Sequence, residues 1–274
     1  MKENGRCALG SRARAALGAS LALCVAGVWG AASVRADSDD ARAVVGKMIE
    51  AHGGMDAWKR APTVSFEDTW FAAGSDERTT SRVVVEQGAR RAYVDFPASG
   101  ATMSWDGKQA WSRNWDQPAP PRFIALLGYY FFNLPWLTLD PGVVLERPGT
   151  GKLWDDPANY ITIRMSFAPG VGDTPDDYYI LYIHPETYRL TACRYVVTYA
   201  ELLPEGVRSS PEHILVYDTW ETVDGLVVPT LVTVYERDKT PYYGCEIGAW
   251  SFRKAFDAQR MVMSDDAQLD TSKP

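Results

Sequence analysis

The segment Arg122–Leu139, RFIALLGYYFFNLPWLTL, decides the fold, because thirteen of its eighteen residues are apolar or aromatic. It is interrupted by Gly128, Asn133 and Pro135 and lacks the roughly 20 continuous apolar residues that a transmembrane helix needs. The spacing instead predicts a helix that is apolar on every side, with a break at Pro135. Such a helix has to be covered on every side. Two interpretations stay open: a core helix packed between a sheet and another element, or a lid over a hydrophobic ligand.

The lid interpretation predicts which side chains would contact a ligand. In the apolar segment these candidates have large apolar or aromatic side chains: Phe123, Leu127, Tyr130, Phe131, Leu134 and Trp136. Aromatic side chains line apolar ligand sites as well as cores. Three tryptophans from neighbouring predicted strands are therefore candidate wall residues: Trp70, Trp105 and Trp111.

The sequence on both sides of this segment changes to the period of two that is typical of strands. In ITIRMSF, residues 161–167, apolar residues alternate with polar ones and predict a half-buried strand. About eleven such strands follow one another, and Asp106-Gly107 and Asp224-Gly225 indicate hairpin turns. Before the first strand, an apolar stripe predicts a helix that begins near Asp39 and ends at Gly53-Gly54. This layout predicts an antiparallel sheet or barrel.

The N-terminus has the layout of a secretory signal peptide. A basic stretch is followed by ALGASLALCVAGVWGAA and by small residues before Asp37, which predicts cleavage after Ala36. An uncleaved anchor and a lipoprotein acylated at Cys24 are the alternatives. We expect residues 1–36 to be the signal peptide, 37–262 a single domain and 263–274 a flexible tail.

The net charge limits the classes of partner that the chain can bind, and the positions of the cysteines limit the disulfides that it can form. Residues 37–274 contain 23 basic and 34 acidic residues, a net charge of −11, which disfavours binding to nucleic acid. Two cysteines remain after the leader, Cys193 and Cys245. The predicted strand order places them three strands apart, at roughly 14 Å. A disulfide needs Cα atoms within about 7 Å, so this order favours free thiols.

The motifs that identify common enzymes are absent from the sequence. There is no G-x-S-x-G and no H-E-x-x-H, and His52, His184 and His213 do not have metal-ligand spacing. Asp68 and Asp218 each lie in a predicted strand among large apolar residues. They predict a buried acid pair, or else a local bulge or a strand that is exposed to solvent on both faces. We therefore expect no enzyme activity, no metal and no cofactor.

Three stretches resemble a known family. AHGGMDAWKRAPTVSF combines a helix end, a Trp and a first strand; DYYILYIHPETYRLTACRY and YDTWETVDGLVVPTLVTVYE each combine two strands and a turn. Together they resemble the LolA/LolB-like lipoprotein-sorting (lipoprotein carrier) superfamily. The resemblance implies an α+β, mainly β fold, an unclosed antiparallel β-barrel of about eleven strands with an N-terminal helix. In it, a central apolar lid helix would cover a cavity for acyl chains.

The sequence and the resemblance together predict a monomeric periplasmic carrier that is not an enzyme. Its ligand would be a lipid or the acyl chain of a lipoprotein. One alternative is an interaction protein with a filled core, which would bind an envelope protein partner through its acidic surface. Another is a hydrolase that uses Asp68 or Asp218. A ligand-sized cavity distinguishes the first two, and convergence of the two carboxylates in one cleft would support the third.

Overall fold

The computed structural model describes the backbone of residues 26–272 and the side chains of residues 39–272. The chain divides into two compact units, Met1–Arg35 and Ala36–Pro274. Only helical residues 26–35 of the first unit are described. The signal peptide predicted for residues 1–36 therefore lies largely outside the described residues and stays a prediction.

Four helices interrupt a chain that is otherwise mostly strands. They are α1 Ala26–Ala51, α2 Met55–Arg60, α3 Pro121–Phe132 and α4 Leu134–Leu137, and 3-10 turns lie at Ala200–Leu202 and Ala258–Met261. Helix α1 begins earlier than the start near Asp39 that the acidic residues indicate. Helix α3 is the predicted apolar helix. The break occurs at Asn133, two residues before the predicted position, and Pro135 lies in the first turn of α4.

Fourteen strands form one antiparallel sheet in the described part of the chain. The eleven predicted strands are all present, and β6, β7 and β14 are short additions. The strands are β1 Thr63–Ala72, β2 Thr79–Glu86, β3 Ala92–Phe96, β4 Ala101–Trp105, β5 Ala110–Arg113, β6 Val143–Leu145, β7 Gly149–Gly151, β8 Tyr160–Phe167, β9 Tyr179–Ile183, β10 Leu190–Tyr195, β11 His213–Val223, β12 Leu226–Glu236, β13 Pro241–Ser251 and β14 Gln268–Leu269.

The strand order explains why an apolar helix interrupts the chain. The order is β14-β5-β4-β3-β2-β1-β13-β12-β11-β10-β9-β8-β6, with β7 also paired to β8. The first and last strands in this order do not pair with each other in the described chain, so the sheet is an unclosed barrel. Strand β5 lies near one edge and β6 at the other, so the connection between them has to cross a face of the sheet. Helix α3 is this crossing, which accounts for its apolar surface.

The main core lies between the helices and one face of the sheet. Met48 of α1, Trp58 of α2, Phe132 of α3 and Leu137 of α4 belong to it together with strand residues such as Ile163. Each of these five residues is at most 7% exposed. Apolar burial of this kind contributes about 25 cal/mol per Å² to folding. The sheet face that contacts the helices is called the inner face below.

A buried histidine connects α1 to the C-terminal half of the sheet. His52 is fully buried, and its Nδ1 lies 3.1 Å from the carbonyl oxygen of Val227. Its Nε2 accepts a hydrogen bond from the backbone N–H of Leu190 at 3.1 Å. Since a carbonyl only accepts, Nδ1 carries the proton and the ring is neutral. Burial lowers the pKa of His52 to about 4.

Cys193 and Cys245 are both free and buried. Strands β11 and β12 lie between their strands, β10 and β13, as the sequence predicts. The strand spacing keeps the two sulfurs apart. Burial raises the pKa of the Cys193 thiol to about 12 and that of Cys245 even further, so both thiols stay protonated near neutral pH.

The C-terminal segment differs from the flexible tail expected for residues 263–274. Its residues Gln268 and Leu269 form β14 against β5, and the N–H of Asp270 donates to the carbonyl of Ala110 at 2.8 Å. Ser272 Oγ lies 2.7 Å from the hydroxyl of Tyr199. A strand of two residues has no recognisable period, so this pairing leaves no pattern in the sequence.

Candidate ligand-binding site

Two cavities lie beside α3, and the first is called the Asp68 cavity. Its volume is about 500 Å³, within the usual range for small-molecule sites. Most of its lining side chains are aliphatic or aromatic. The polar ones, apart from tyrosines, are Asp68, Thr79, Ser81, Ser210 and His213.

The second cavity, of about 410 Å³, is called the Arg122 cavity. It is also largely apolar, but two ion pairs lie in its lining. Arg90 pairs with Asp140. Arg122 pairs with Asp173, with 2.6 Å between Nε and Oδ2. Each cation in this lining therefore has an anionic partner.

Helix α3 separates the two cavities. Phe123, Leu127 and Phe131 line both of them, and their spacing of four residues places them on one stripe of the helix. Phe131 of the stripe lies beside Tyr195 of β10, with 4.8 Å between ring centroids, so the stripe faces the C-terminal half of the sheet. Helix α3 also contacts strands β2 to β5.

Contacts at both ends and a glycine in the middle hold α3 in this position. At its start, Pro121 needs no donor partner, and the N–H of Arg122 donates to Oδ2 of Asp270 at 2.7 Å. At its end, the hydroxyl of Tyr217 donates to the carbonyl of Phe131 at 2.7 Å. In between, a Cβ at Gly128 would lie 3.0 Å from Oδ2 of Asp68. Glycine thus permits the close approach of α3 to β1.

Six of the nine predicted ligand-binding residues line a cavity. Besides the stripe shared by both cavities, Tyr130 and Trp105 line the Arg122 cavity and Trp70 lines the Asp68 cavity. Tyr130 lies beside Tyr179, with 5.8 Å between ring centroids. The structure thus brings the residues from α3 and two of the three tryptophans together around the same interior space.

The other three predicted residues line neither cavity, for local reasons. The chain turns at Asn133, so Leu134 and Trp136 belong to α4 and not to the face of α3. Both are at most 1% exposed, and Trp136 stacks on Trp58 at 4.7 Å. Trp111 pairs with Ser104, one position out of phase with Trp105. Because successive side chains in a strand alternate, Trp111 lies on the outer face.

Several residues that line the Asp68 cavity come from the C-terminal half of the sheet and are not among the predicted ligand-binding residues. Tyr195, Leu215 and Val234 come from strands β10 to β12, and Tyr242 and Tyr243 from β13. The period-two pattern of these strands identifies their inner face. It does not indicate which inner positions α3 leaves uncovered, because that depends on where the helix crosses the sheet.

Asp68 is a buried acid in the wall of the Asp68 cavity. It is 3% exposed and accepts hydrogen bonds from Ser81 Oγ at Oδ1 and, at 3.2 Å, from Trp70 Nε1 at Oδ2. Burial raises the pKa of Asp68 to about 6, and the two hydrogen bonds only partly oppose this shift.

Asp68 and Asp218 do not form the acid pair that a hydrolase would need. Asp218 is exposed, lines neither cavity and accepts a hydrogen bond from Thr233 Oγ1 at 2.7 Å. The pairing of β11 with β12 shifts register between Tyr217 and Trp220, a bulge that changes which face the strand residues occupy. The carboxylates therefore do not converge in one cleft, and the bulge interpretation of Asp218 is confirmed.

The described residues contain neither a membrane-spanning helix nor a cluster of metal ligands. No helix there is both long and apolar enough to cross a membrane. No group of three or more His, Cys, Asp or Glu side chains in that part of the chain is placed to hold a metal ion. The candidate site is the pair of cavities beside α3, because they are apolar and of ligand size.

Comparison with known proteins identifies the fold. No protein-family model and no curated protein matches the sequence. A LolA superfamily protein from Nitrosomonas europaea has a similar structure, with a TM-score of 0.53 and 11% identity, over 82% of this chain and 98% of that one. A DUF1329 family protein from Desulfovibrio piger matches with a TM-score of 0.51 and 11% identity, over 80% of this chain and 95% of that one. The sheet order, the crossing helix and these two matches together identify a LolA-like fold.

Proposed function

We propose that this protein is a periplasmic carrier that binds the hydrocarbon chain of a lipid or an acylated lipoprotein beside α3. The observation that supports it is the pair of apolar cavities, about 500 and 410 Å³, on either side of the Phe123–Leu127–Phe131 stripe. Each CH₂ group that moves from water into such a space contributes about 0.8 kcal/mol, before the cost of ordering the chain. A ligand with two chains would place one in each cavity.

The cavities also bear on the alternative of an envelope interaction protein. That function requires a filled interior, and the space beside α3 is large enough for a ligand. The LolA-like fold agrees with the carrier, although a fold does not determine a function. Non-enzymatic binding agrees with the separation of Asp68 from Asp218.

The test is the binding of a neutral fluorescent probe, N-phenyl-1-naphthylamine, by variants of the stripe. Leu127 lines both cavities, so Leu127→Asp places a charge in apolar space, and we expect at least about tenfold weaker binding. Val144 is 45% exposed on β6, and Val144→Asp is the matched control that leaves binding unchanged.

A second variant tests the cavity if Leu127→Asp fails to fold. Leu127→Trp fills the space without burying a charge, and we expect it to keep the circular dichroism spectrum and to bind less probe. If both folded variants bind the probe as tightly as the wild type, the proposed site is wrong. A wild-type protein that binds neither this probe nor decanol contradicts the carrier function itself.

A further inference from the structure

The two cavities differ in the basic side chains of their linings. In the Arg122 cavity, both arginines are paired with aspartates. No Lys or Arg is among the described residues that line the Asp68 cavity, and Asp68 is its only acidic side chain. An ionised Asp68 therefore gives this cavity a negative charge that no lysine or arginine in its wall offsets.

Asp68 has no cationic partner elsewhere in the described residues either. Its two hydrogen bonds come from the neutral groups of Ser81 and Trp70. Above the pKa of about 6 that burial produces, the carboxylate is ionised and lacks a counter-charge. A neutral side chain of similar shape would avoid this cost, so packing alone does not explain an acid at this position. An asparagine would still accept the bond from Ser81 at its amide oxygen, but its NH2 group could not accept the bond from Trp70.

The remaining wall of the Asp68 cavity suits a cation. Trp70, Trp115, Phe96 and Tyr242 line it, and the faces of aromatic rings attract positive charge. The basic side chain in the lining is His213, which lies 3.5 Å from Glu236 and stacks on Tyr242 with 5.1 Å between centroids. The Asp68 carboxylate would repel an anionic head group in this cavity, and no lysine or arginine lines the cavity to bind it.

We propose that the Asp68 cavity selects amphiphiles with a positively charged amino head group, which pairs with Asp68 while the alkyl chain lies along Leu127 and Phe131. This inference rests on the proposed function, because it specifies the ligand of the same interior site. The ammonium donates hydrogen bonds to Asp68, and charge-assisted bonds of this kind are stronger than neutral ones.

The test is calorimetry of the purified protein at pH 7.5 with three probes of equal chain length: decylamine, 1-decanol and decanoate. We expect decylamine to bind about 10 to 100 times more tightly than decanol, and decanoate to bind most weakly. In Asp68→Asn, the preference for decylamine over decanol should fall to near unity, while decanol binding stays.

Asp218→Asn is the matched control. It removes the same charge from a strand aspartate that also bonds a hydroxyl but does not line the cavity, so the preference for decylamine should remain. If the wild type binds decanol and decanoate as tightly as decylamine, or if Asp218→Asn loses the preference equally, the inference is wrong and the carrier function stands. If no probe binds, the proposed function fails as well.

Discussion

Replacement of His52 by phenylalanine should change how stability depends on pH. Folding lowers the pKa of His52 from 6.5 to about 4, because burial disfavours the charged ring. The stability that depends on the neutral ring is therefore complete above pH 6.5 and is lost as pH falls through 4. Lowering the pKa from 6.5 to about 4 corresponds to about 3 kcal/mol of unfolding free energy, of which about 2 kcal/mol is lost between pH 7.5 and pH 5.

The hydrogen bonds of His52 determine how much stability His52→Phe loses at neutral pH. Phenylalanine fills the space next to Trp220, whose ring centroid lies 4.7 Å from that of His52. It leaves the Leu190 N–H and the Val227 carbonyl without their bonds to the ring. Each unsatisfied buried group costs about 1–3 kcal/mol, so we expect His52→Phe to lose about 2–5 kcal/mol at pH 7.5.

Urea denaturation from pH 5 to pH 8 measures both quantities. The gap in unfolding free energy between wild type and His52→Phe should narrow by about 2 kcal/mol at pH 5. His184→Gln is the control, since His184 is a partly exposed strand-end residue whose Nδ1 accepts from the backbone N–H of Glu186. A gap of constant size across this range would refute the role of His52 as a buried neutral ring.

Three further changes test the surroundings of α3. The effect of Asp68→Asn on the unfolding free energy should be about 2–3 kcal/mol more favourable at pH 8 than at pH 4, because the raised pKa of Asp68, about 6, makes wild-type stability fall as pH rises from 3.8 through 6. The bond from Trp70 is lost at both pH values, so urea denaturation that gives equal effects at pH 4 and pH 8 contradicts this. Gly128→Val should lower the unfolding free energy by about 2–3 kcal/mol, because the new side chain would collide with the sheet. Gly46→Val is the control: it has open space around it and should cost less than about 1 kcal/mol in its helix. Thermal melts in which Gly46→Val is the less stable variant would refute the close approach of α3 to β1. Asp270→Ala should lower the unfolding free energy by about 1 kcal/mol, because the N–H of Arg122 in the first turn of α3 loses its acceptor. Asp265→Ala, at an exposed position, should leave the unfolding free energy unchanged. Identical denaturation curves for the two variants would exclude this cap.

The strands and α3 were predictable because their residues carry strong periodic patterns. In β8, alternation places Ile161, Ile163, Met165 and Phe167 on one face, and the structure packs all four against the main core. The apolar segment predicted the crossing helix because a helix apolar on every side has to be covered on every side. Periodicity of this kind depends only on local geometry.

The predicted ligand-binding residues that line neither cavity are those whose placement depends on distant residues. Leu134 and Trp136 were predicted to contact a ligand from the apolar segment, but the turn at Asn133 directs them into the core. Trp111 was assigned to the inner wall, but its register against β4 places it outside, because one residue of shift exchanges the two faces. Strand β14 was missed because its pairing comes from the neighbouring strand and not from its own sequence.

The central claim is that the space beside α3 holds a hydrocarbon chain. Native mass spectrometry of the protein, purified without detergent from the cells that produce it, tests this claim most directly. The account predicts an additional mass that dissociates on activation and extracts into organic solvent as a lipid. It also predicts that the additional mass is reduced in Leu127→Asp and retained in Val144→Asp. The claim would be contradicted by a protein that is detected only at the mass of its polypeptide chain and that binds neither added phospholipid nor decylamine.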